Sequence, residues 1–111
     1  MASQSRNYGT LPKRPLSDAE ITREVDGAKG RYVLSRDGAE AELTYSILSS
    51  SLIIADHTGV PQSLRNTGAG RALVEKLVED ARAEGVMIIP LCPFVNAQRA
   101  RHPEWADVFK T

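Results

Sequence analysis

The run Arg65-Asn66-Thr67-Gly68-Ala69-Gly70-Arg71 sets small residues between two arginines where a loop hands over to a helix. Small side chains let backbone come close to a ligand, and the first N–H groups of a helix are unpaired donors at the positive end of its dipole. Together these make a cradle for an anion, phosphate above all. Arg65 and Arg71 could add charge-assisted contacts to a pyrophosphate. The same residues also read as a tight turn at Gly68 and Gly70 with solvated arginines. A P-loop is excluded, because its second glycine needs a following lysine and Ser or Thr, whereas Gly70 precedes Arg71-Ala72. A dinucleotide-binding fingerprint is excluded as well, since no glycine run opens a repeated strand-helix unit with an acidic residue about 20 positions on.

Several elements must position this loop. From Gly68 the apolar residues Leu73, Val74, Leu77, Val78 and Ala81 recur at helical spacing, and Gly85 suits the residue that ends the helix, which predicts a helix over 68–84. Upstream, Asp37-Gly38 is a hairpin turn dipeptide between a strand at 30–36 and one at 39–48, where Ala41, Leu43, Tyr45 and Ile47 alternate with polar residues. The continuous apolar start of 52–58 suggests a central strand covered on both faces. A short buried strand at 87–91 follows the helix, then a helix from Phe94 to His102 and a last helical piece holding Trp105, Val108 and Phe109. The order reads as three antiparallel strands, then strand, loop, helix, strand and helix. The long crossover makes its two strands parallel. The fold class is α+β with a mixed, mostly antiparallel sheet.

With 111 residues the chain fits one domain. Residues 1–17 are polar, contain Pro12 and Pro15, and read as a disordered leader, so the domain is expected over 18–111. Fourteen Lys plus Arg balance fourteen Asp plus Glu, which argues against nucleic acid or an anionic membrane as the main partner. The longest mostly apolar stretch, Val86 to Val95, is far short of the about 20 residues that span a bilayer. Met1 to Thr10 offers no signal-peptide core, and the single Cys92 forms no intrachain disulfide, so a cytoplasmic location is expected. One cysteine with His57 and His102 lacks the paired spacing of a zinc site, and no metal is expected.

Arg65-x-x-Gly68-x-Gly70 resembles the pyrophosphate loop of the acetyl-CoA-dependent GNAT-type N-acetyltransferases. The chain more closely resembles their small single-domain group through three further motifs, in order: His57-Thr58-Gly59-Val60-Pro61, Pro90-Leu91-Cys92-Pro93-Phe94-Val95 and His102-Pro103-Glu104-Trp105. The resemblance spans roughly residues 24–110 and implies a GNAT-like fold in which two parallel strands, here 52–58 and 87–91, splay apart around the pantetheine arm of CoA. It implies acetyl-CoA as cosubstrate, held by Thr58, Val60, Arg65, Asn66, Thr67, Gly68, Ala69, Gly70 and Arg71. Relatives carry Gly-Gln or similar where this chain has Asn66-Thr67, and asparagine tolerates the left-handed backbone such a loop uses. Many also place a tyrosine acid on the helix after the second splayed strand, where this chain has Gln98.

In this resemblance Cys92 and His57 are the catalytic candidates. Cys92 could attack the acetyl carbonyl or give its S–H to the departing thiolate, or it could be a small buried hydrophobe. His57 could deprotonate an amine, or hold the turn before Val60-Pro61. His102 is expected to cap or pack at a helix end, and Trp105 to cover the core. The implied activity is acetyl transfer to a primary amine, either a small molecule or a protein lysine, with sheet backbone polarising the thioester. The alternative is a CoA-binding module without turnover. An acidic acceptor site would draw on Asp56, Glu40 or Glu42, and a monomer and a dimer are both open.

Overall fold

Two hairpins start the sheet. The computed structural model describes residues 20–111; the expected leader at 1–17 and the onset of order near Asp18 lie outside the described residues. Strands β1 (Ile21–Asp26), β2 (Lys29–Arg36) and β3 (Ala39–Ser49) form an antiparallel meander. Asp37 at φ 52° and Gly38 at φ 80° make the expected turn with positive φ at both central residues. β3 then pairs antiparallel with β4 (Leu52–Gly59), and β4 pairs parallel with β5 (Met87–Pro90) across helix α1 (Ala69–Glu84). Strand order in space equals strand order in the chain. Helix α2 (Pro93–Arg101) and a 3-10 helix, Pro103–Val108, follow.

One hydrophobic core lies between the sheet and the helices. Tyr32, Leu34, Ala41, Leu43 and Tyr45 point from the meander at the α1 stripe of Leu73, Val74, Leu77, Val78 and Ala81, all buried. Gly85 ends α1 in the left-handed region at φ 70° and donates its N–H to Ala81, as its position predicts. The expectation that β4 is covered on both faces is corrected: Ile53 and Ala55 are buried, but Leu52 and Ile54 are only half-buried. The other face of the sheet is polar, with Arg31 bonded to Glu24 and Glu42, and Ser46 to Asp56. An apolar run therefore reflected the central position of the strand rather than two covering layers.

A second correction concerns Phe109. It leaves the last helical piece in an extended conformation and bridges Ile88, while the Lys110 N–H donates to the Ile88 carbonyl at 2.8 Å. The C-terminal segment thereby satisfies the outer edge of β5.

The far end of the sheet is tied to α1 by a polar network. Arg23 on β1 donates to Tyr45 Oη at 3.0 Å and to both carboxylate oxygens of Glu84 at 2.6 and 3.1 Å. Tyr32 donates its hydroxyl to Asp80 at 2.8 Å. Burial, reinforced by Asp80, pushes the Tyr32 phenol far above its ordinary range. Its folded-state pKa is raised, so the stability this group contributes is complete below the unfolded value of about 10 and drains away as pH rises beyond it. Denaturant midpoints measured across pH 9 to 11 are expected to fall steadily in the wild type, and to fall less in Tyr32→Phe.

Candidate functional site

β4 carries the geometry that matters most. It pairs with β5 only as far as Ala55 opposite Pro90, and the last contact between the strands' lines is the Cys92 N–H donated to the Ala55 carbonyl at 2.9 Å. Cys92 then becomes the N-cap of α2, and the chain turns away. Beyond Ala55 the β4 edge has no β5 partner, so the two parallel strands diverge.

At the same place β4 is bulged. Tyr45 pairs with Ala55 and its neighbour Thr44 with His57, which leaves Asp56 as the extra residue. The bulge resets the alternation of faces. Ala55 and Thr58 look toward the helices, Thr58 lying opposite the buried Leu43, whereas Asp56 and His57 share the open polar face.

The loop after β4 runs through a 3-10 helix, Gln62–Leu64, whose Leu64 is buried and anchors it. Asn66 at φ 64° and Gly68 at φ 88° both occupy the left-handed region, so the expected tolerance of asparagine is used. Thr67 turns inward. Its hydroxyl accepts the Ala69 N–H at 3.2 Å and donates to the Leu64 carbonyl, which makes it the true cap of α1. Ala72 is bonded to the Gly68 carbonyl, while the N–H groups of Gly68, Gly70 and Arg71 have no protein acceptor among the described residues. Arg65 donates to the Val60 carbonyl at 3.3 Å and Arg71 to Glu75 at 3.0 Å, each through Nε alone, so both keep further donors.

These residues line an open cavity of about 470 Å³. Arg65, Asn66, Gly68, Ala69, Gly70 and Arg71 line one side, and Thr58 and Val60 the other. Of the expected cofactor contacts only Thr67 is off its wall, because its side chain is committed to capping. Leu64 and Phe94 also line it and were not among the expected contacts. Phe94 stood in the Pro-x-Cys-Pro-Phe-Val motif, and that motif was its only signal. The two glycines differ in purpose. A Cβ on Gly68 would meet nothing within 4 Å, so its space is open to a ligand; one on Gly70 would come 2.7 Å from the Phe94 ring, so this glycine makes room for protein.

The catalytic candidates are not brought together. Cys92 is 2% exposed, belongs to the core, and lies 3.4 Å from the Thr58 hydroxyl. His57 is exposed on the opposite face, and its ring has no hydrogen-bond partner among the described residues, so it does not hold the turn by a side-chain bond. Gln98 is buried on α2. His102 stacks on Trp105 with centroids 4.0 Å apart and bonds Glu104, and Trp105 sits in the core, both as expected. Asp56 and Glu42 already face Lys29 and Arg31, and Glu40 lies near Ser35. Among the described residues no group of His, Cys, Asp and Glu could hold a metal ion, and no helix is long and apolar enough to cross a membrane.

The model of the GCN5-related N-acetyltransferases matches residues 31–108, most of the chain. The chain belongs to this family. A similar solved structure is the NMR solution structure of a GCN5-like protein from Staphylococcus aureus, 29% identical, with a TM-score of 0.63 over 83% of this chain and 90% of that one. No curated protein matches. This GCN5-related chain is thus an N-acetyltransferase by family, and its mixed five-stranded sheet is the family's fold.

Proposed function

We propose that this chain transfers an acetyl group from acetyl-CoA to a primary amine. One observation carries the reading: the cavity joins three unsatisfied N–H groups at the start of α1 to the unpaired edge of β4 beyond Ala55. A pyrophosphate matches the first, through the N–H groups, the helix dipole and two arginines. An amide-bearing pantetheine arm matches the second, since it can pair with strand backbone as another strand would. Acetyl-CoA supplies the activated acetyl group as a thioester.

In this reading the backbone N–H groups at the bulge polarise the thioester carbonyl. The amine arrives from the open face, where His57 takes its proton directly or through water. Attack is direct, because the Cys92 sulfur is not on the cavity wall. The acceptor is a small amine or an exposed lysine, approached across the open face of the sheet. A second reading, CoA binding without turnover, is favoured by Gln98 standing where relatives keep a tyrosine acid.

Thermal melting with acetyl-CoA, CoA and ATP in parallel tests the site. At a hundredfold excess over the dissociation constant, binding adds about 2.7 kcal/mol, which raises the midpoint by roughly 10 °C for a domain of this size. Acetyl-CoA and CoA are expected to give that shift and ATP, lacking the pantetheine arm, a much smaller one. No shift with any of them rules out both readings. CoA release with n-butylamine as acceptor then separates transfer from binding alone.

A further inference from the structure

We propose that Thr58 is the proton donor to the departing CoA sulfur and that Cys92, lying behind it, restores the Thr58 proton. The inference rests on the acetyl-CoA reading of the cavity. Three observations meet at this residue. The Asp56 bulge turns Thr58 from the open face to the helix face, so that its side chain lines the cavity beside the divergence of β4 and β5. Its hydroxyl lies 3.4 Å from Cys92 Sγ, within hydrogen-bond reach of a sulfur. Cys92 itself is 2% exposed and absent from the cavity wall, and the hydrogen bond to Thr58 links its sulfur to a side chain that is on that wall.

The chemistry needs such a path. When the amine attacks, the carbon–sulfur bond breaks and its electron pair leaves with the CoA sulfur, which must be protonated. Gln98 has no proton to give at neutral pH. A threonine hydroxyl alone is a poor acid, but one that is refilled as it donates acts only as a conduit. The Thr58 O–H proton passes to the CoA sulfur while the Cys92 S–H proton passes to Thr58 Oγ1. The net exchange moves one proton from the Cys92 sulfur to the CoA sulfur. The proton shed by nitrogen as the amide forms goes to His57 and from there to water, and once CoA has left a water proton restores Cys92 by way of the Thr58 hydroxyl, so the chain ends as it began. Thr58 touches the reacting sulfur and is the catalytic residue; Cys92 acts through it.

The first arm of the test needs no acceptor. Binding of CoA is compared with binding of desulfo-CoA, which lacks only the sulfur, at pH 9, in the wild type, Thr58→Val, Thr58→Ser and Cys92→Ala. A donor aimed at the thiolate makes the wild type prefer CoA by about tenfold. Thr58→Val is expected to lose that preference while still binding desulfo-CoA normally, which shows the fold and the phosphate cradle intact, and Thr58→Ser to keep it. With n-butylamine as acceptor, Thr58→Val and Cys92→Ala should each lower kcat by about a hundredfold, and the double variant by no more than either alone. An unchanged CoA preference in Thr58→Val, or additive losses in the double variant, overturns the proposal. If the wild type binds neither CoA nor desulfo-CoA, the acetyl-CoA reading itself falls and takes the inference with it.

Discussion

Replacing Gly30 by alanine is expected to destabilise the fold by about 3 kcal/mol, lowering the melting temperature by roughly 12 °C. Its backbone conformation is ordinary, so strain in φ plays no part. The cause is space: a Cβ at Gly30 would sit 2.2 Å from Cζ of Tyr45, directly across the β2–β3 pair. Tyr45 is fully buried and receives the Arg23 guanidinium on its hydroxyl, so its ring cannot move without breaking its own bond to β1. Circular dichroism melts of three variants check this. Gly59→Ala, whose Cβ would meet nothing nearer than His57 at 3.4 Å, should change stability by less than about 0.5 kcal/mol. In a Tyr45→Leu background, the cost of Gly30→Ala should largely vanish, because the two effects share one cause.

The second large effect is at Gly70. Gly70→Ala places a methyl 2.7 and 3.0 Å from two atoms of the Phe94 ring and 3.4 Å from Val60, and both side chains are cavity walls. The ring can yield only by shifting, and the cavity changes shape with it. Forced displacements of this kind cost the fold about 1–3 kcal/mol, and a cavity whose wall has moved is expected to bind CoA about tenfold less tightly. Isothermal titration reads this directly, and Phe94→Leu in the same chain should restore part of the affinity. Gly68→Ala makes the contrast. No protein atom obstructs its methyl, but φ at 88° penalises any side chain by about 1–2 kcal/mol and the methyl enters space left for a ligand, so the melting temperature of the free protein and CoA affinity should both fall, with no rescue by Phe94→Leu. A result in which Phe94→Leu rescued both glycine variants would contradict the separate purposes assigned to them.

Much of the frame was legible because its signals are local. Asp37-Gly38 names its own turn, α1 announces itself through a stripe that ends at Gly85, and the loop that opens α1 is contiguous from Arg65 to Arg71. β1 gave no such signal. It is an edge strand exposed along most of its length, so its pairing leaves no alternation of apolar residues in Ile21–Asp26. The bulge at Asp56 was equally silent, since it exists only in the register between β3 and β4. Yet that single extra residue decides that His57 and Cys92 lie on opposite sides of the sheet and that Thr58 meets Cys92. Pairings such as Arg23 with Glu84 join residues far apart in the chain, and no spacing rule reaches them. The cavity-lining loop was therefore readable from adjacent residues, while the placing of His57, Thr58 and Cys92 depended on tertiary register.

The match between spatial and chain order of the strands shapes how the protein is made. β1, β2 and β3 can pair in turn as each leaves the ribosome, with no earlier strand waiting for a later one. The Arg23 clamp is the exception, because its carboxylates at Asp80 and Glu84 come 57 and 61 residues later. At about 5–20 residues per second, that gap lasts roughly 3–12 s. During synthesis β1 is thus an early strand with a late anchor, and the nascent meander holds its outer edge by contacts within itself until α1 has emerged.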